Sequence, residues 1–279
     1  MSCKPVLSIV IANYNYGKYL ATAIESIISQ NVDDFAEIIV CDAASTDDSV
    51  AVIKRYESHI AWWCSEKDGG QSAAFNKGFS HACGEYLTWL NADDILWPGA
   101  LEKIKSAMLS NPGFQWIAGG TVYFDDKGVP FNTSMPGQWQ IARFARVPDW
   151  LMVDGPSSIF SRKLLKNVGG VDENLHFVMD IDLWMRFSKA NQRLYIINDW
   201  LWGFRVHEES KTSEAIILNT KNENFERESI SIRTKNQISQ FSESCAVFRK
   251  RICAVCSLAV IRRKIILRDL RGRPVHFAR

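Results

Sequence analysis

The sequence of 279 residues is long enough for one large α/β domain, and its hydrophobic fraction of 47% is ordinary for a globular protein. No apolar run reaches the roughly 18 residues of a membrane span, and the N-terminal segment lacks a signal-peptide core. Seven scattered cysteines indicate reduced thiols and a cytoplasmic protein. Cys253 and Cys256 form a single C-x-x-C pair, which is only a weak signal for a zinc or redox site.

The charge is distributed unevenly along the chain. The net charge is +2, but the segment Cys245–Arg279 has ten Lys and Arg against one Asp, so it carries +9 and the remainder carries −7. A basic tail on an acidic body predicts an anionic contact, and its interspersed apolar residues favour a peripheral position on an anionic membrane surface. A solvated helical tail or a contact between copies is the alternative, whereas the scarcity of aromatic residues argues against nucleic acid.

The first hundred residues alternate between strand patterns and helix patterns. Short runs rich in β-branched and aromatic residues predict strands at 6–12, 37–41, 60–64 and 86–90. Helical spacing of apolar residues predicts helices at 20–28, 50–56 and 73–82, and a further helix whose first turn contains Pro98. This alternation predicts an α/β fold with a doubly wound, mainly parallel sheet.

Polar residues follow each predicted strand. They are Asn13 and Asn15, Asp42, Asp68, and the adjacent pair Asp93 and Asp94. The carboxyl ends of parallel strands share one edge of the sheet, which is where open α/β sheets bind their ligands. Two neighbouring carboxylates repel each other, so a divalent cation is expected there, unless the pair simply caps the following helix. Neither G-x-G-x-x-G nor the P-loop pattern occurs, which disfavours both of those nucleotide sites.

The second half has a different texture. The helix that begins at Pro98 is predicted to extend over 101–109. A strand follows at 115–124, in which Gly119–Gly120 permits a close approach or a bulge, and further strands are predicted at 194–197 and 200–206. The irregular region 129–150 is interpreted as a lid or a loop that faces the acceptor. Asp180 and Asp182 begin a helix, and residues 213–270 are mostly helical in composition.

Six motifs occur in an order that belongs to one known family. They are the strand and loop at Leu7–Asn15, D-x-x-S-T-D at Asp42–Asp47, S-E-x-D-x-G-Q at Ser65–Gln71 with A-x-N-K-G at Ala74–Gly78, G-E-Y-L-x-W-L-N-x-D-D at Gly84–Asp94, G-G-x-D-E at Gly169–Glu173 with D-x-D-L-W-x-R at Asp180–Arg186, and R-x-H at Arg205–His207. Over residues 5–212 the chain therefore resembles the family 2 glycosyltransferases, which are nucleotide-sugar-dependent enzymes of the GT-A fold.

The resemblance implies a domain organisation and a reaction. Residues 1–212 would be the catalytic domain, with a nucleotide-binding half at 1–110 and an acceptor and catalytic-base half at 111–212. Residues 213–279 would be a helical basic extension. The reaction would be transfer, with inversion, of a sugar from a nucleoside-diphosphate sugar, usually a UDP-sugar, to a hydroxyl of a glycan or lipid-linked acceptor in surface polysaccharide biosynthesis.

Site residues follow from the resemblance position by position. The donor-binding residues would be Asn13, Tyr14, Asp42, Asp68, Gln71, Asn76, Asn91 and Asp93. Among them Asp42 would contact the nucleobase, and Asp93 would hold Mn²⁺ or Mg²⁺ together with His207. Asn91 departs from the first acid of the family's D-x-D motif, which weakens a ribose or metal role at that position.

The same resemblance makes Asp180 the general base that deprotonates the acceptor hydroxyl. It matches the second position of the family's E-D motif, although Met179 stands where the family has Glu. Gly155–Ser157 would border the donor sugar.

Two other functions compete with this interpretation. A nucleotidyltransferase also places acids and a metal on a doubly wound sheet, but it needs a glycine-rich basic loop, and Asn13–Lys18 has one Gly and one Lys. A protein that binds nucleotide sugars without catalysis is the second alternative, suggested by Asn91 and Met179. Release of pyrophosphate or of UDP would distinguish these functions.

Overall fold

A nine-stranded sheet forms the centre of the part of the chain described by the computed structural model, which is residues 5–31, 34–136, 155–190, 193–210 and 223–235. Its strands are β1 (Leu7–Asn13), β2 (Ala36–Asp42), β3 (Ile60–Ser65), β4 (Tyr86–Asn91), β5 (Ile95–Leu96), β6 (Trp116–Asp125), β7 (Pro130–Ser134), β8 (Ser158–Ser161) and β9 (Leu194–Val206). The helices are α1 (Gly17–Ile28), α2 (Ser49–Arg55), α3 (Gln71–His81), α4 (Ala100–Ser110), α5 (Arg162–Asn167), α6 (Met179–Lys189) and α7 (Glu223–Lys235). Strand order is β3-β2-β1-β4-β8-β6-β9-β5, with β7 paired to β6.

The first four strands are parallel, as the alternation of strand and helix patterns predicted. β1 lies between β2 and β4, and the register pairs Asn13 with Asp42 and Ala12 with Asn91. The polar ends of these strands therefore lie at one edge. Beyond β4 the sheet is mixed, because β8 is antiparallel to both β4 and β6. The α/β fold is confirmed, but the parallel arrangement is confined to the first half and to the β6–β9 pair.

Long-range pairing overrides two local predictions. The residues directly after Asp94 form β5, which pairs antiparallel with β9, so α4 begins only at Ala100 and Pro98 lies before the helix. The two strands predicted at 194–197 and 200–206 form the single strand β9. The prediction of a close approach at Gly119 is confirmed, since a Cβ there would lie 2.4 Å from Leu201 Cγ and the β6–β9 register shifts beside it.

The two faces of the sheet bury different kinds of side chain. One face is mainly aliphatic and packs against α1, α2 and α4, with Ile9, Ile11, Leu20 and Ile24 fully buried. The other face is rich in aromatic rings, which include Phe75, Trp89, Trp116, Phe160, Trp184 and Phe187. Trp89, Trp116 and Trp184 bury large apolar areas between the sheet and α6.

Several predicted segments fall outside the described residues. The region interpreted as a lid includes β7 at Pro130–Ser134, but residues 137–154 are not described. The basic segment 245–279, with its C-x-x-C pair, is also outside the described chain, and α7 is the described part of the extension. Within the described residues, no helix has the length and apolarity needed to cross a membrane.

One carboxylate connects the starts of two helices. The side chain of Asp47 accepts hydrogen bonds from the first backbone N–H of α1, at Gly17 (2.9 Å), and of α2, at Ser49 (3.0 Å). We expect Asp47→Ala to lower the free energy of unfolding by about 1 kcal/mol, since both N–H groups lose their acceptor. Partial burial raises the pKa of Asp47, but the hydrogen bonds from Ser49 and Gly17 outweigh it and lower the pKa below 3.8.

The sign of the pH dependence follows from that lowered pKa. Because the carboxylate is favoured in the folded state, its contribution is present above pH 3.8 and is lost as the pH falls through the folded pKa. Urea unfolding at several pH values measures it. Asp48→Ala is the matched control, because Asp48 occupies the N-cap of α2 without a side-chain cap bond. An equal loss of unfolding free energy in Asp47→Ala and Asp48→Ala would contradict the role given to Asp47.

Candidate active site

The first polar cluster lies where β1 and β2 end. The Asp42 carboxylate is 1% exposed and accepts bonds from Asn13 Nδ2 (2.7 Å), the backbone N and side chain of Ser45, and Ser65 Oγ (2.6 Å). A carboxylate has about four acceptor positions, so these donors fill it. A nucleobase that bonds Asp42 directly would therefore replace one hydroxyl. Tyr14 follows β1 and is 60% exposed, which leaves its ring open at the same edge.

The second cluster is the turn Asn91–Asp94 at the end of β4. Gln71 Nε2 donates to Asn91 Oδ1 (2.8 Å), and Asn91 Nδ2 donates to Asp94 Oδ2 (2.7 Å). The amide of Asn91 thus accepts at one end and donates at the other. A carboxylate at position 91 could not donate to Asp94, which gives a local reason for the departure from the family's D-x-D motif.

Asp94 has a structural role that differs from the helix cap considered for it. Its side chain is 1% exposed, and its Oδ1 accepts from the backbone N of Arg205 on β9 (2.9 Å). Burial and the neighbouring charge of Asp93 raise the pKa of Asp94 well above its ordinary value. Because α4 starts six residues later, the helix-cap interpretation is wrong, and Asp94 instead connects β4 to β9.

Asp93 and His207 face each other across the site. Asp93 Oδ2 lies 3.0 Å from His207 Nε2, and the side chain of Asp93 remains 13% exposed. The imidazole contacts the rings of Tyr16 and Tyr19, at centroid distances of 5.6 and 4.7 Å. Burial and the charge of Asp93 raise the pKa of Tyr16, so the phenol stays neutral beside the carboxylate.

Arg205, the first residue of the R-x-H motif, is a site residue to which the motifs assigned no role. Its Nε donates to the backbone oxygen of Asp93 (2.8 Å), and its guanidinium lies over the rings of Tyr19 and Phe124, at 4.9 and 4.7 Å from their centroids. Burial lowers the pKa of Arg205, while the charges of Asp94 and Asp93 act in the opposite direction. The period of two in R-x-H could have revealed it, because alternate residues of a strand share a face. The Arg205 side chain therefore supplies part of the positive charge that was expected beside Asp93 and Asp94.

The residues present could hold a divalent metal ion together with ligands from a bound molecule. A carboxylate oxygen and an imidazole nitrogen converge at Asp93 and His207, and both are groups that bind divalent metal ions in proteins. Among the described residues, no group of three or more His, Cys, Asp or Glu side chains could hold a metal ion. The remaining ligands would have to be oxygens of a bound diphosphate or water.

The other residues predicted to bind the nucleotide sugar divide into two groups. Asp68 bonds the backbone N of Gly70 (2.8 Å) and shapes the loop before α3, while Gln71 reaches the Asn91–Asp94 turn. Asn76 points elsewhere, since its amide bonds both the N–H and the carbonyl of Val171 (3.0 and 2.9 Å) and also Glu173. The structure therefore brings Gln71 to the Asn91–Asp94 turn, whereas Asn76 holds the loop that precedes α6.

Asp180 lies in the first turn of α6, as predicted, and is partly exposed. The helix is fixed against the sheet by Trp184, whose ring stacks on Trp89 of β4 (5.6 Å) and on Trp116 of β6 (5.5 Å). Asp182 faces inward and pairs with Arg186 (2.7 Å). The strand that leads to Asp93 and the helix that carries Asp180 thus share one aromatic core.

The segment Gly155–Ser157, predicted to border the donor sugar, forms a buried 3₁₀ turn before β8. A Cβ at Gly155 would lie 2.6 Å from Trp89 Cζ2, so this glycine allows the turn to pack directly on β4.

Comparison with known proteins identifies the family. Residues 8–169 match the model of glycosyl transferase family 2. An uncharacterized glycosyltransferase of Methanocaldococcus jannaschii is 31% identical over 209 residues, which are 73% of this chain and 71% of that protein. The chain belongs to the family 2 glycosyltransferases, and it is therefore an enzyme that transfers glycosyl groups.

Two solved structures show the same GT-A fold. Staphylococcus aureus TarS in complex with UDP-GlcNAc has a TM-score of 0.58 at 18% identity, covering 82% of this chain and 73% of that one. The mannosyltransferase PcManGT from Pyrobaculum calidifontis, in complex with GDP-Man and Mn²⁺, has a TM-score of 0.57 at 17% identity, covering 91% and 76%. The similarity confirms the fold class expected from the motifs.

The Asn91 amide can be tested by substitution. We expect Asn91→Asp to lower the free energy of unfolding by about 1–3 kcal/mol at neutral pH, because a carboxylate would face the buried Asp94 carboxylate without a donor between them. Chemical denaturation measures the loss, and Asn91→Ala separates the missing hydrogen bond from the added charge. In Asn91→Asp the loss should shrink at acidic pH, where one carboxyl group can carry a proton and donate it. Wild-type stability of Asn91→Asp at neutral pH would contradict the role of the Asn91 amide between Gln71 and Asp94.

Proposed function

We propose that the protein transfers a sugar, with inversion, from a UDP-sugar to a hydroxyl of a glycan or lipid-linked acceptor in surface polysaccharide biosynthesis. The observation that carries the proposal is the 3.0 Å pair of Asp93 and His207, at the sheet edge where β1, β2 and β4 end. We place the nucleoside at the exposed Tyr14 ring, beside the Asp42 cluster. This position would put the diphosphate next to Asp93.

We propose that Asp93 and His207 hold Mn²⁺ or Mg²⁺, which would act as a Lewis acid and neutralise the charge that develops on the diphosphate leaving group. Arg205 holds the backbone of Asp93 in place, and the tyrosine rings limit the movement of His207. Gln71 supports the same turn through Asn91. These contacts would hold the side chains of Asp93 and His207 in position before the nucleotide sugar binds.

Asp180 is proposed as the general base. A carboxylate about 3 Å from the acceptor hydroxyl can accept its proton while the oxygen attacks the anomeric carbon, a contribution of typically 10²–10⁴-fold. Direct attack opposite the departing diphosphate inverts the anomeric centre, with a transition state that resembles an oxocarbenium ion. Asp182 is not available for this role, because it is buried against Arg186.

We retain residues 1–212 as the catalytic domain, with its two halves 1–110 and 111–212, and residues 213–279 as an extension. α7 belongs to the extension, yet its Ile232 is buried in the aromatic core, so the described part of the extension packs on the catalytic domain. The basic segment 245–279 is proposed to bring a cytoplasmic enzyme to an anionic membrane surface where lipid-linked acceptors reside.

A donor panel tests the proposed reaction. The protein is incubated with UDP-GlcNAc, UDP-glucose, UDP-galactose and GDP-mannose, each with Mn²⁺, with Mg²⁺ and with a chelator, and nucleotide release is measured. UDP release from a UDP-sugar that stops with the chelator supports the proposal. Release only from GDP-mannose would overturn the choice of nucleobase, and release of pyrophosphate would indicate a nucleotidyltransferase.

A further inference from the structure

The C-terminal helix α7 contributes a carboxylate to the start of the helix that carries Asp180. Glu228 accepts hydrogen bonds from three consecutive backbone N–H groups. Its Oε1 accepts from His176 (3.0 Å), and its Oε2 accepts from Phe177 (2.9 Å) and Val178 (3.3 Å). Asp180 is only two residues after Val178, so this contact adjoins the proposed base in the chain.

These three N–H groups need an acceptor from elsewhere in the fold. His176 and Phe177 precede α6 and Val178 occupies its N-cap, so the helix itself offers no acceptor to these three groups. An ionised acceptor at this end is favourable, since charge-assisted bonds are stronger than neutral ones and the helix dipole attracts negative charge. Glu228 supplies that acceptor from 50 residues along the chain.

Other contacts of α7 direct Glu228 toward this segment. Ile232, one turn further along α7, is 3% exposed and lies in the same aromatic core as Trp184 of α6. Lys235 Nζ lies 4.0 Å from Asp182 Oδ1 and 3.9 Å from Asp172 Oδ2. Apolar burial and paired charges thus anchor α7 on both sides of the α6 N-terminus.

The residue at position 179 offers no carboxylate to this segment. Met179 stands where the family motif has an acid, and its buried sulfur lies 2.9 Å from Ser72 Oγ, which donates to the Leu175 carbonyl oxygen at 2.6 Å. The local sequence of α6 therefore supplies Asp180 for chemistry but no carboxylate for the segment before the helix.

We propose that Glu228 is a positioning residue for glycosyl transfer, because its carboxylate fixes the backbone of His176–Val178 and so the first turn of α6 with Asp180. This inference rests on the proposed role of Asp180 as the base. Glu228 does not touch the reacting atoms. Its effect is on the geometry of proton removal, where a displacement of about 1 Å can cost around a hundredfold in rate.

The test compares Glu228→Ala and Glu228→Gln with Glu226→Gln, which removes the same charge from an exposed position of α7. For Glu228→Ala, kcat should fall about tenfold to a hundredfold while KM for the donor stays within about twofold, since the donor contacts lie on other elements. Amide hydrogen exchange at residues 176–178 should accelerate. Glu228→Gln should recover most of kcat, because one amide oxygen can still accept from Phe177 and Val178. Glu226→Gln should behave as wild type.

Several outcomes separate this inference from the proposed function. Faster exchange at 176–178 in Glu228→Ala with unchanged kcat overturns the positioning role, as does an equal rise in donor KM. If Asp180→Asn retains transfer while Glu228→Ala lowers kcat, the base assignment fails and the positioning of α6 stands. If Glu228→Ala does not fold, Glu228→Gln decides, since a folded variant with wild-type exchange and a hundredfold loss of kcat would contradict positioning through these hydrogen bonds.

Discussion

Asp180→Asn is expected to abolish glycosyl transfer, with a loss of about 10²–10⁴-fold in kcat, while the dissociation constant for the donor nucleotide stays within about twofold. The amide has nearly the same shape as the carboxylate but cannot accept the proton of the acceptor hydroxyl at neutral pH. Donor binding should survive, because the Asp42 cluster and the Asp93–His207 pair lie on other elements. Transfer assays with the donor identified by the panel, together with calorimetric titration of the nucleotide, measure both quantities.

The control for this variant is Asp34→Asn, which removes an exposed carboxylate just before β2, at the opposite end of the parallel strands. It should keep wild-type kcat. Asp180→Glu should recover part of the activity, since it restores a base in a shifted position. If Asp180→Asn retains more than about a tenth of wild-type activity, the proton is accepted by another group and the base assignment is wrong.

The second large effect concerns Asp93. We expect Asp93→Ala to abolish the gain in nucleotide affinity that Mn²⁺ provides, a loss of about tenfold to a hundredfold or more in the presence of the metal. The variant loses one of the two proposed protein ligands and also releases His207 from its 3.0 Å contact. Without metal, wild type and variant should bind the nucleotide with similar affinity. Nucleotide titrations with Mn²⁺ and with a chelator therefore measure the ratio of the dissociation constants without and with the metal for each protein.

His207→Gln should produce the same loss of metal dependence, because the imidazole is the other proposed ligand. The matched control is His59→Gln, which changes an exposed histidine just before β3. It should leave the metal dependence unchanged. An Mn²⁺ titration that is identical for wild type and Asp93→Ala would show that the pair does not hold the cation. In that case Arg205 would be the main positive charge near the diphosphate.

The sequence predicted the first half of the fold well because its signals are local. The strands and helices from β1 to α3 follow from hydrophobic periodicity over short windows, and the parallel arrangement follows from their alternation. It failed directly after Asp94, where β5 forms only because β9 lies beside it. A pairing partner more than 100 residues away leaves no mark in a two-residue strand, so Asp94 was considered as a helix cap.

The candidate site shows the same division. Its polar residues were found from strand ends and motifs, and Asn13, Asp42, Asp93 and His207 do lie at the predicted edge. Arg205 had no assigned role and Glu228 lay outside every motif, because the function of each depends on which backbone groups it meets in the folded chain. The spacing of R-x-H places Arg205 and His207 on one face, but it does not identify the backbone oxygen that Arg205 contacts.

By itself, the sequence determined the family 2 glycosyltransferase motifs and the polar residues that end at one edge of a parallel sheet. The motifs and the alternation of strands with helices are local patterns, whereas strand order and register depend on contacts between distant residues. Only the tertiary structure decided which contacts each of these acids makes. Asp94 is buried as a link to β9, Asp182 pairs with Arg186, and Asp93 alone of the adjacent pair faces His207. Burial and hydrogen-bond partners distinguish chemically identical carboxylates, and both arise from contacts between residues far apart in the chain.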